Sequence, residues 1–307
     1  MEEEYITMGM AAFGRPKLKL YNDMKELLAH KNLHRGMRRE LPKETNENIA
    51  YNAQSLTEGV LRGFVNKLTK YGRPIVYGGG VALNSVANGK LFKKIDHYIF
   101  PNPGDAGSAL GAAALVTKKQ IKTDHMFHGY HLPLLSIGQI KEVVDILQAG
   151  EAVGIAAGKA EFGPRALGNR SLLCDPRTKK NKDKVNKIKK RQLYRPFAPS
   201  ILKEHADAYF EITSKCDYSY MQYVVPTKTR DFIATRHVDK SARVHTVSDD
   251  LNEVSSLRSI LECWYERTGC PTLLNTSLNI RGKPMVNDEK DVNAFEEEYG
   301  VKVFCNG

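Results

Sequence analysis

The sequence predicts a mixed α/β protein built from two structural units. Three observations indicate this class: strands and helices alternate along the chain, glycine-rich turns directly follow short apolar strands, and several helices carry a single apolar face. A length of 307 residues allows two domains with cores of their own. The hydrophobic content of 41% and the charged content of 26% are ordinary for a globular protein.

The first unit is predicted from one long helix followed by two strand–turn–helix segments. Apolar side chains recur every four residues over 49–70, which is typical of an amphipathic helix. A glycine turn between a strand and a helix directs backbone N–H groups at a bound phosphate, although a plain tight turn uses the same residues. The elements predicted in order are a helix over 49–70, a strand over 75–77, a helix over 81–91, a strand over 97–100 and a helix over 108–116.

The second unit is predicted from a capped helix, a buried strand and further alternating elements. It follows a connector over 117–135 that contains three histidines, which a linker presents to solvent more often than to a metal. Ser136 and Gln139 form a capping box, which begins a helix that Gly150 ends. The remaining predicted elements are strands over 152–157, 220–225 and 271–274 and a helix over 252–268.

The basic charge balance leaves two interpretations open. The formal net charge is +11, and ten lysines and arginines lie between Arg177 and Arg195. They form either a solvated helix face beside a phosphate site or a surface that contacts the phosphate backbone of a nucleic acid. A second basic cluster lies over 31–39, and no known nucleic-acid-binding module accompanies either cluster.

Three further features bear on the location of the protein. No apolar run approaches the roughly 20 residues that a membrane span needs. The acidic start of the chain differs from the start of a signal peptide. The five cysteines are scattered without CxxC spacing, which is typical of reduced thiols. We therefore expect a cytoplasmic protein that has no membrane partner.

Three separate segments carry the kinds of side chain that bind oxyanions. The run 161–171 holds two arginines among glycines and a proline, and the cations Lys189-Lys190-Arg191 and Arg195 follow it. The third segment, 275–279, supplies amide and hydroxyl groups. Because arginine binds phosphate oxygens with two parallel N–H donors, these segments together predict a site for a phosphorylated ligand.

With these motifs in view, the chain closely resembles the NodU/CmcH family of O-carbamoyltransferases. The matching stretches follow one another in the family's order and extend over nearly the whole chain. They are Met8–Gly14, Gly79–Asn84, Gly104–Gly111, Glu161–Ser171, Arg195–Ser200, His237–Asp239 with Arg243, and Asn275–Asn279.

The resemblance implies a fold and an activity for each unit. Residues 1–128 resemble the C-terminal part of an actin-like (Kae1-like) domain that binds nucleotide and metal, and 129–307 resemble a YrdC-like twisted-sheet α/β domain that binds carbamoyl phosphate and ATP. The family moves a carbamoyl group from carbamoyl phosphate, through carbamoyl-adenylate, to an acceptor hydroxyl. The acceptor implied is a small metabolite, a sugar or a hydroxylated base in a nucleotide or nucleic acid.

The resemblance also assigns roles to individual residues. Those expected to be catalytic are Lys189, Arg191, Arg165 and Arg170. Those expected to bind substrate are Arg195, Ser277, Asn279, Asn275, Ser171, His237 and Arg243. Those expected to bind the nucleotide, ATP with Mg2+, are Gly78, Gly79, Gly80, Asn84, Gly104 and Gly107.

Metal binding is expected at Asp105, which matches the aspartate ligand of the family. One carboxylate does not hold a transition metal alone, so Fe2+ or another divalent metal is expected only if a partner supplies histidine ligands. We therefore expect a second chain that carries the N-terminal half of the Kae1-like domain; a fragment or a reduced variant are the alternatives.

Two other functions compete with a carbamoyltransferase. One is a non-catalytic subunit that binds nucleotide or carbamoyl phosphate, which the absence of AMP and pyrophosphate formation would reveal. The other is threonylcarbamoyl transfer to tRNA, although the wording around Arg165 and Arg195 resembles the O-carbamoyltransferases more closely.

Overall fold

The computed structural model describes residues 4–30 and 41–306, so the basic cluster over 31–39 lies outside the described residues. The helices are α1 Glu4–Met10, α2 Leu18–His30, α3 Asn46–Leu68, α4 Ser85–Leu91, α5 Ser108–Thr117, α6 Ile137–Gln148, α7 Lys179–Ile188, α8 Ala206–Tyr209, α9 Leu257–Thr268 and α10 Glu289–Tyr299. The strands are β1 Ile75–Tyr77, β2 His97–Ile99, β3 Phe127–Leu132, β4 Val153–Ala156, β5 Gly158–Glu161, β6 Arg170–Cys174, β7 Ala198–Leu202, β8 Val224–Pro226, β9 Ser241–Arg243, β10 His245–Val247, β11 Thr272–Ser277 and β12 Val303–Cys305.

A six-stranded mixed sheet forms the centre of the second part of the chain. Its strand order is β10-β7-β11-β6-β4-β12. The two outer pairs, β10 with β7 and β12 with β4, are parallel, and the inner pairs are antiparallel. The predicted α/β class is therefore confirmed, with a sheet whose neighbouring strands are mostly distant in sequence.

Helices cover both faces of this sheet. On one face α6 and α9 pack on the strands, where Leu261 and Trp264 share a core with Leu173. On the other face α7 and α10 pack, and Phe295 shares a core with Leu172. Because successive strand residues point to opposite faces, the adjacent leucines of β6 enter different cores. The continuous apolar runs of β4 and β6 follow from this burial on two sides.

The first part of the chain is built around α3, which packs against α1, α2 and α4. A small parallel sheet, β1 with β2, lies beside it. The predicted long helix is confirmed, but its apolar row is covered only at Leu56, whereas Phe64 is 61% exposed. Among the described residues nothing covers α5 either, because none of its side chains is buried.

Two sequence predictions about strands were wrong. The connector over 117–135 contains β3, which pairs antiparallel with β5. Only the two ends of β3 are buried, so its sequence lacks the alternation of apolar and polar residues that indicates a strand. β3 is a strand because it pairs with β5, which is distant in sequence. The predicted strand over 220–225 is reduced to β8, since Met221 has a φ of 55° and turns the chain away from an extended path.

Candidate functional site

Lys189 lies where two of the predicted segments meet. It directly follows α7 and is only 8% exposed. Its Nζ donates to the backbone oxygens of Ser277 (2.8 Å) and Asn279 (3.0 Å) and to Oδ1 of Asn279 (2.5 Å). The Ser277 hydroxyl donates to the same Oδ1 at 2.8 Å. Lys189, Ser277 and Asn279 therefore form one hydrogen-bonded group, although they are about 90 positions apart in sequence.

In the turn after α7, the side chains of Lys190 and Arg191 point in different directions. Lys190 has a φ of 45°, an uncommon value for a residue with a side chain. Its ammonium group faces outward and forms an ion pair with Glu298 at 2.5 Å. Arg191 turns inward, where its guanidinium stacks on Phe197 at 3.8 Å and its Nε donates to Asn186 at 3.1 Å.

Four arginines lie close to one another, and two of them, Arg191 and Arg195, also lower the pKa of Lys189 after burial has lowered it. Burial lowers the pKa of Arg243 well below its ordinary value, and the nearby Arg165, Arg191 and Arg195 lower it further. None of the four forms an ion pair with another described residue. The Nε of Arg243 is buried without a partner. We refer to Lys189, Arg165, Arg191, Arg195 and Arg243 as the cationic cluster.

The carboxylate of Glu161 shapes the loop that carries Arg165. Its Oε1 accepts from the backbone N–H groups of Leu167 (2.7 Å), Asn169 (3.0 Å) and Arg170 (3.2 Å). Burial raises the pKa of Glu161, and these hydrogen bonds oppose that rise. Sequence reasoning missed this role, because a glutamate at the end of a strand has no distinguishing pattern.

Arg170 lies apart from the cationic cluster. It is fully buried, and its two Nη groups donate to five backbone oxygens, those of Ala157, Gly158, Asn169, Tyr130 and Asn287, at 2.8–3.5 Å. These oxygens come from β3, β5 and surrounding loops, so Arg170 ties separate segments together. Its geometry is that of a structural clamp, and we leave it out of the proposed active site.

Two of the expected substrate-binding residues, Asn275 and His237, hold other parts of the site in place, whereas Ser171 does not. The amide of Asn275 donates to the backbone oxygen of Ala166 (3.1 Å) and to Ser200 Oγ (2.9 Å). His237 Nε2 lies 2.9 Å from the backbone oxygen of Gly9. Ser171 lies opposite Ser277 in the sheet, and its buried hydroxyl has no partner among the described residues.

The expected nucleotide-binding glycines lie on two turns that touch each other, and of these glycines Gly107 is buried. Gly79 has a φ of 93°, which only glycine adopts readily, and its N–H donates to the backbone oxygen of Pro103 at 2.8 Å. Gly78 and Gly80 flank Gly79 and are exposed, and the turn at Gly104 and Gly107 follows Pro103. The two turns therefore form one surface.

Asn84, which follows the first of these turns, is the N-cap of α4. Its Oδ1 accepts from the N–H of Ala87 at 3.1 Å, and its amide donates to Gln54 at 2.9 Å. The neighbouring backbone oxygen of Leu83 lies 3.5 Å from Nη2 of Arg165. The turns of the first part thus adjoin the cationic cluster of the second.

The described residues do not assemble a metal site at Asp105. Asp105 is exposed, and in the described ranges no group of three or more histidine, cysteine, aspartate or glutamate side chains could hold a metal ion. This also applies to the histidines of the connector. Sequence reasoning overlooked the spacing His30-x-x-x-His34, but His34 lies outside the described residues. The described residues alone therefore do not form the expected metal site, and we derive no step through a metal.

Comparison with known proteins identifies the family. The family domain described as the carbamoyltransferase C-terminus matches residues 144–306, and the carbamoyltransferase N-terminus matches residues 17–114. The chain is 36% identical over 245 residues to nodulation protein NolNO of Sinorhizobium fredii (69% of this chain, 36% of the relative). It is 30% identical over 249 residues to the 3'-hydroxymethylcephem-O-carbamoyltransferase of Amycolatopsis lactamdurans (75% and 47%).

The chain therefore belongs to the carbamoyltransferase family, which confirms the resemblance found in the sequence. It spans less than half the length of these two relatives. Among solved structures, the phosphate- and nucleotide-bound HypF is similar with a TM-score of 0.42 and 16% identity (55% of this chain, 25% of that chain). E. coli YciO has a TM-score of 0.42 and 14% identity (60% and 84%), and we base no function on either similarity.

Proposed function

We propose that this chain carries the carbamoyl-activating site of an ATP-dependent O-carbamoyltransferase. The observation that carries the proposal is the cationic cluster in a member of the carbamoyltransferase family. Like charges held close together in a partly buried place repel one another strongly. A multiply charged anion such as carbamoyl phosphate or a nucleotide phosphate relieves this repulsion.

The reaction that we propose has three balanced steps. Water cleaves carbamoyl phosphate into carbamate and phosphate. A carbamate oxygen then attacks the α-phosphorus of ATP, which gives carbamoyl-adenylate and releases pyrophosphate. The acceptor hydroxyl finally attacks the carbamoyl carbon, AMP leaves, and the hydroxyl proton passes to solvent. Carbamate decomposes in water, so the first two steps benefit from a shielded site.

Lys189 and the arginines suit the first two steps. The arginines would face phosphoryl oxygens during in-line transfer, and Lys189, whose three donors already contact Ser277 and Asn279, would contribute through its nearby charge. Positioning and charge stabilisation supply most of the catalysis in such a transfer. Ser277 and Asn279 contact Lys189 rather than stand free, which supports an orienting role instead of a nucleophilic one. The proposed substrate-binding role of Arg195 and Arg243 rests on the same proximity.

We extend the proposal to the two touching glycine turns of the first part. The contact between Arg165 and Leu83 supports a short path for the adenylate from the cationic cluster to the surface formed by Gly79 and Gly104. The descriptions of the two parts as partial Kae1-like and YrdC-like domains, divided near residue 128, belong to this proposal. So does the partner that would cover the first part and supply metal ligands.

The test is the acceptor-independent half-reaction. We expect the purified chain to form AMP and pyrophosphate from MgATP only when carbamoyl phosphate is present. Lys189→Ala and Arg165→Ala should each reduce this rate at least ~100-fold, since each removes a charge-stabilising group. Lys187→Ala is the matched control, because Lys187 is an exposed cation on α7, the helix that Lys189 directly follows, and this variant should retain the full rate. Full activity in Lys189→Ala, or no AMP from the wild type, would refute the proposal.

A further inference from the structure

Helix α1, from the start of the chain, lies against the cationic cluster. The guanidinium carbon of Arg195 lies 4.5 Å from the centre of the Tyr5 ring. The Tyr5 group also raises the pKa values of Arg165 and Arg191, in both cases against the lowering that burial causes. Tyr5 thus contacts one of the four arginines with its ring and acts electrostatically on two others.

The position of Tyr5 is fixed by contacts further along the same segment. His237 Nε2 lies 2.9 Å from the backbone oxygen of Gly9, so the helix is attached to the second part of the chain. The Phe13 ring packs edge-on against His237 (5.5 Å) and Tyr194 (5.9 Å). On its other side, α1 packs against α3. Tyr5 therefore reaches the cluster from an element that both parts of the chain hold.

We infer that Tyr5 is a positioning residue of the anion site that we propose above. A guanidinium stacked on an aromatic face keeps its N–H edges free, because the ring contacts only the flat face. Those edges are the ones that bind phosphate oxygens in pairs. The ligand class is a phosphate or pyrophosphate group.

The test compares three variants of the full chain. Tyr5→Phe keeps the ring, Tyr5→Leu keeps an apolar side chain without the aromatic face, and Tyr71→Leu is the matched control at a tyrosine that is 70% exposed. The probes are inorganic pyrophosphate binding by calorimetry at fixed low salt and the KM for carbamoyl phosphate in AMP formation. We expect Tyr5→Leu to raise both the Kd and the KM about 5–10-fold, with kcat within about two-fold, because one cation–π contact is lost. Tyr71→Leu should match the wild type, and Tyr5→Phe, which keeps the ring but loses the hydroxyl that acts on Arg165 and Arg191, should lie closer to the wild type than Tyr5→Leu.

Other outcomes overturn the inference. It is wrong if Tyr5→Leu binds pyrophosphate as tightly as the wild type, or if Tyr5→Phe is as weak as Tyr5→Leu. A change in kcat alone would also contradict a positioning role. Thermal unfolding of each variant shows whether α1 has been lost. If Tyr5→Leu does not fold, the comparison is between Tyr5→Phe and the wild type. A wild type that binds pyrophosphate through Tyr5 but forms no AMP would refute the proposed function and leave this inference intact.

Discussion

Lys189 is a cation in surroundings that disfavour charge. Burial, and then the nearby Arg191 and Arg195, lower its pKa to about 7. Three oxygen acceptors at Ser277 and Asn279 satisfy the three donors of its ammonium form. The Lys189 side chain therefore gains and loses its proton in the neutral pH range. An anion that binds beside it would favour the protonated, charged form.

The pKa of Lys189 predicts a pH dependence for the carbamoyl phosphate step. A lowered lysine pKa means that the ammonium form is present below about pH 7 and is lost as the pH rises through that value. We expect kcat/KM for carbamoyl phosphate, measured by AMP formation, to fall above about pH 7 because binding of the anion needs that charge.

Lys189→Arg separates this effect from titration of the ligand. Arginine stays charged over the same range, so the alkaline fall should move to higher pH in this variant, whatever its absolute rate. Identical pH profiles for the wild type and Lys189→Arg would assign the fall to another group.

The cationic residues also show what sequence predicts at the scale of single residues. Lys189, Ser277 and Asn279 were identified by type, and the structure brings them together. Arg165 and Arg170 look alike in the sequence, yet the first joins the cationic cluster and the second binds five backbone oxygens. Whether an arginine faces a ligand or a carbonyl depends on where distant segments of backbone lie, and no local pattern records that.

At the scale of elements, the loop after β5 is organised by Glu161. One carboxylate oxygen of Glu161 accepts hydrogen bonds from the backbone N–H groups of Leu167, Asn169 and Arg170. Gly168, at a φ of 124°, allows the tight path in between. The loop is therefore a rigid support that presents Arg165 to the cationic cluster.

We predict that Glu161→Ala weakens both the fold and the anion site. Three buried N–H groups would lose their acceptor, and we expect the free energy of unfolding to fall by about 2–4 kcal/mol. Glu161→Gln keeps one side-chain oxygen as an acceptor, so its loss should be clearly smaller. Urea unfolding of both variants measures the difference, and equal losses would show that the oxygen acceptor does not hold the loop.

The elements themselves were predicted well where a local signal exists. The capping box of Ser136 and Gln139 is present as expected, with both reciprocal hydrogen bonds. β4 is a continuous apolar run and forms a fully buried strand. β3 was missed because four of its six residues are exposed and only pairing with β5 orders them. Elements that depend on a remote partner leave little trace in their own sequence.

For the whole molecule, the main unexplained feature is a set of exposed apolar side chains on α5 and on the small sheet of the first part. Leu115 and Val116 at the end of α5 are 82% and 84% exposed, and Val76 on β1 is 80% exposed. Val76 and Tyr98 are paired across the small sheet and are both exposed. Large apolar patches on a protein surface mark places where another polypeptide binds.

We predict that these exposed side chains make the isolated chain self-associate. Sedimentation velocity at increasing concentration should show oligomers of the wild type. The double variant Leu115→Lys/Val116→Lys should remain monomeric, since it places two charges on the surface. Lys118→Glu/Lys119→Glu is the control, because it changes charge at the exposed end of the same helix without removing apolar surface. A wild type that remains monomeric at high concentration would contradict the prediction.

Regarding membranes, no helix in the described part of the chain is long and apolar enough to span a bilayer. All five cysteines are free of disulfides, as their spacing indicates. The absence of an apolar run and the spacing of the cysteines can be read directly from the sequence. Which strands become neighbours in the sheet cannot, because neighbouring strands are mostly distant in sequence.

The sequence by itself determined the α/β class, five of the ten described helices, the family and the types of residue that form the cationic cluster, because periodicity, caps and motifs are local features of the chain. Only the tertiary structure decided that Arg170 is a clamp, that Glu161 supports the loop and that Tyr5 stands against the arginines. These roles depend on contacts between residues up to 228 positions apart, such as that of Gly9 with His237. Packing of the complete chain creates such contacts, and no segment contains them alone.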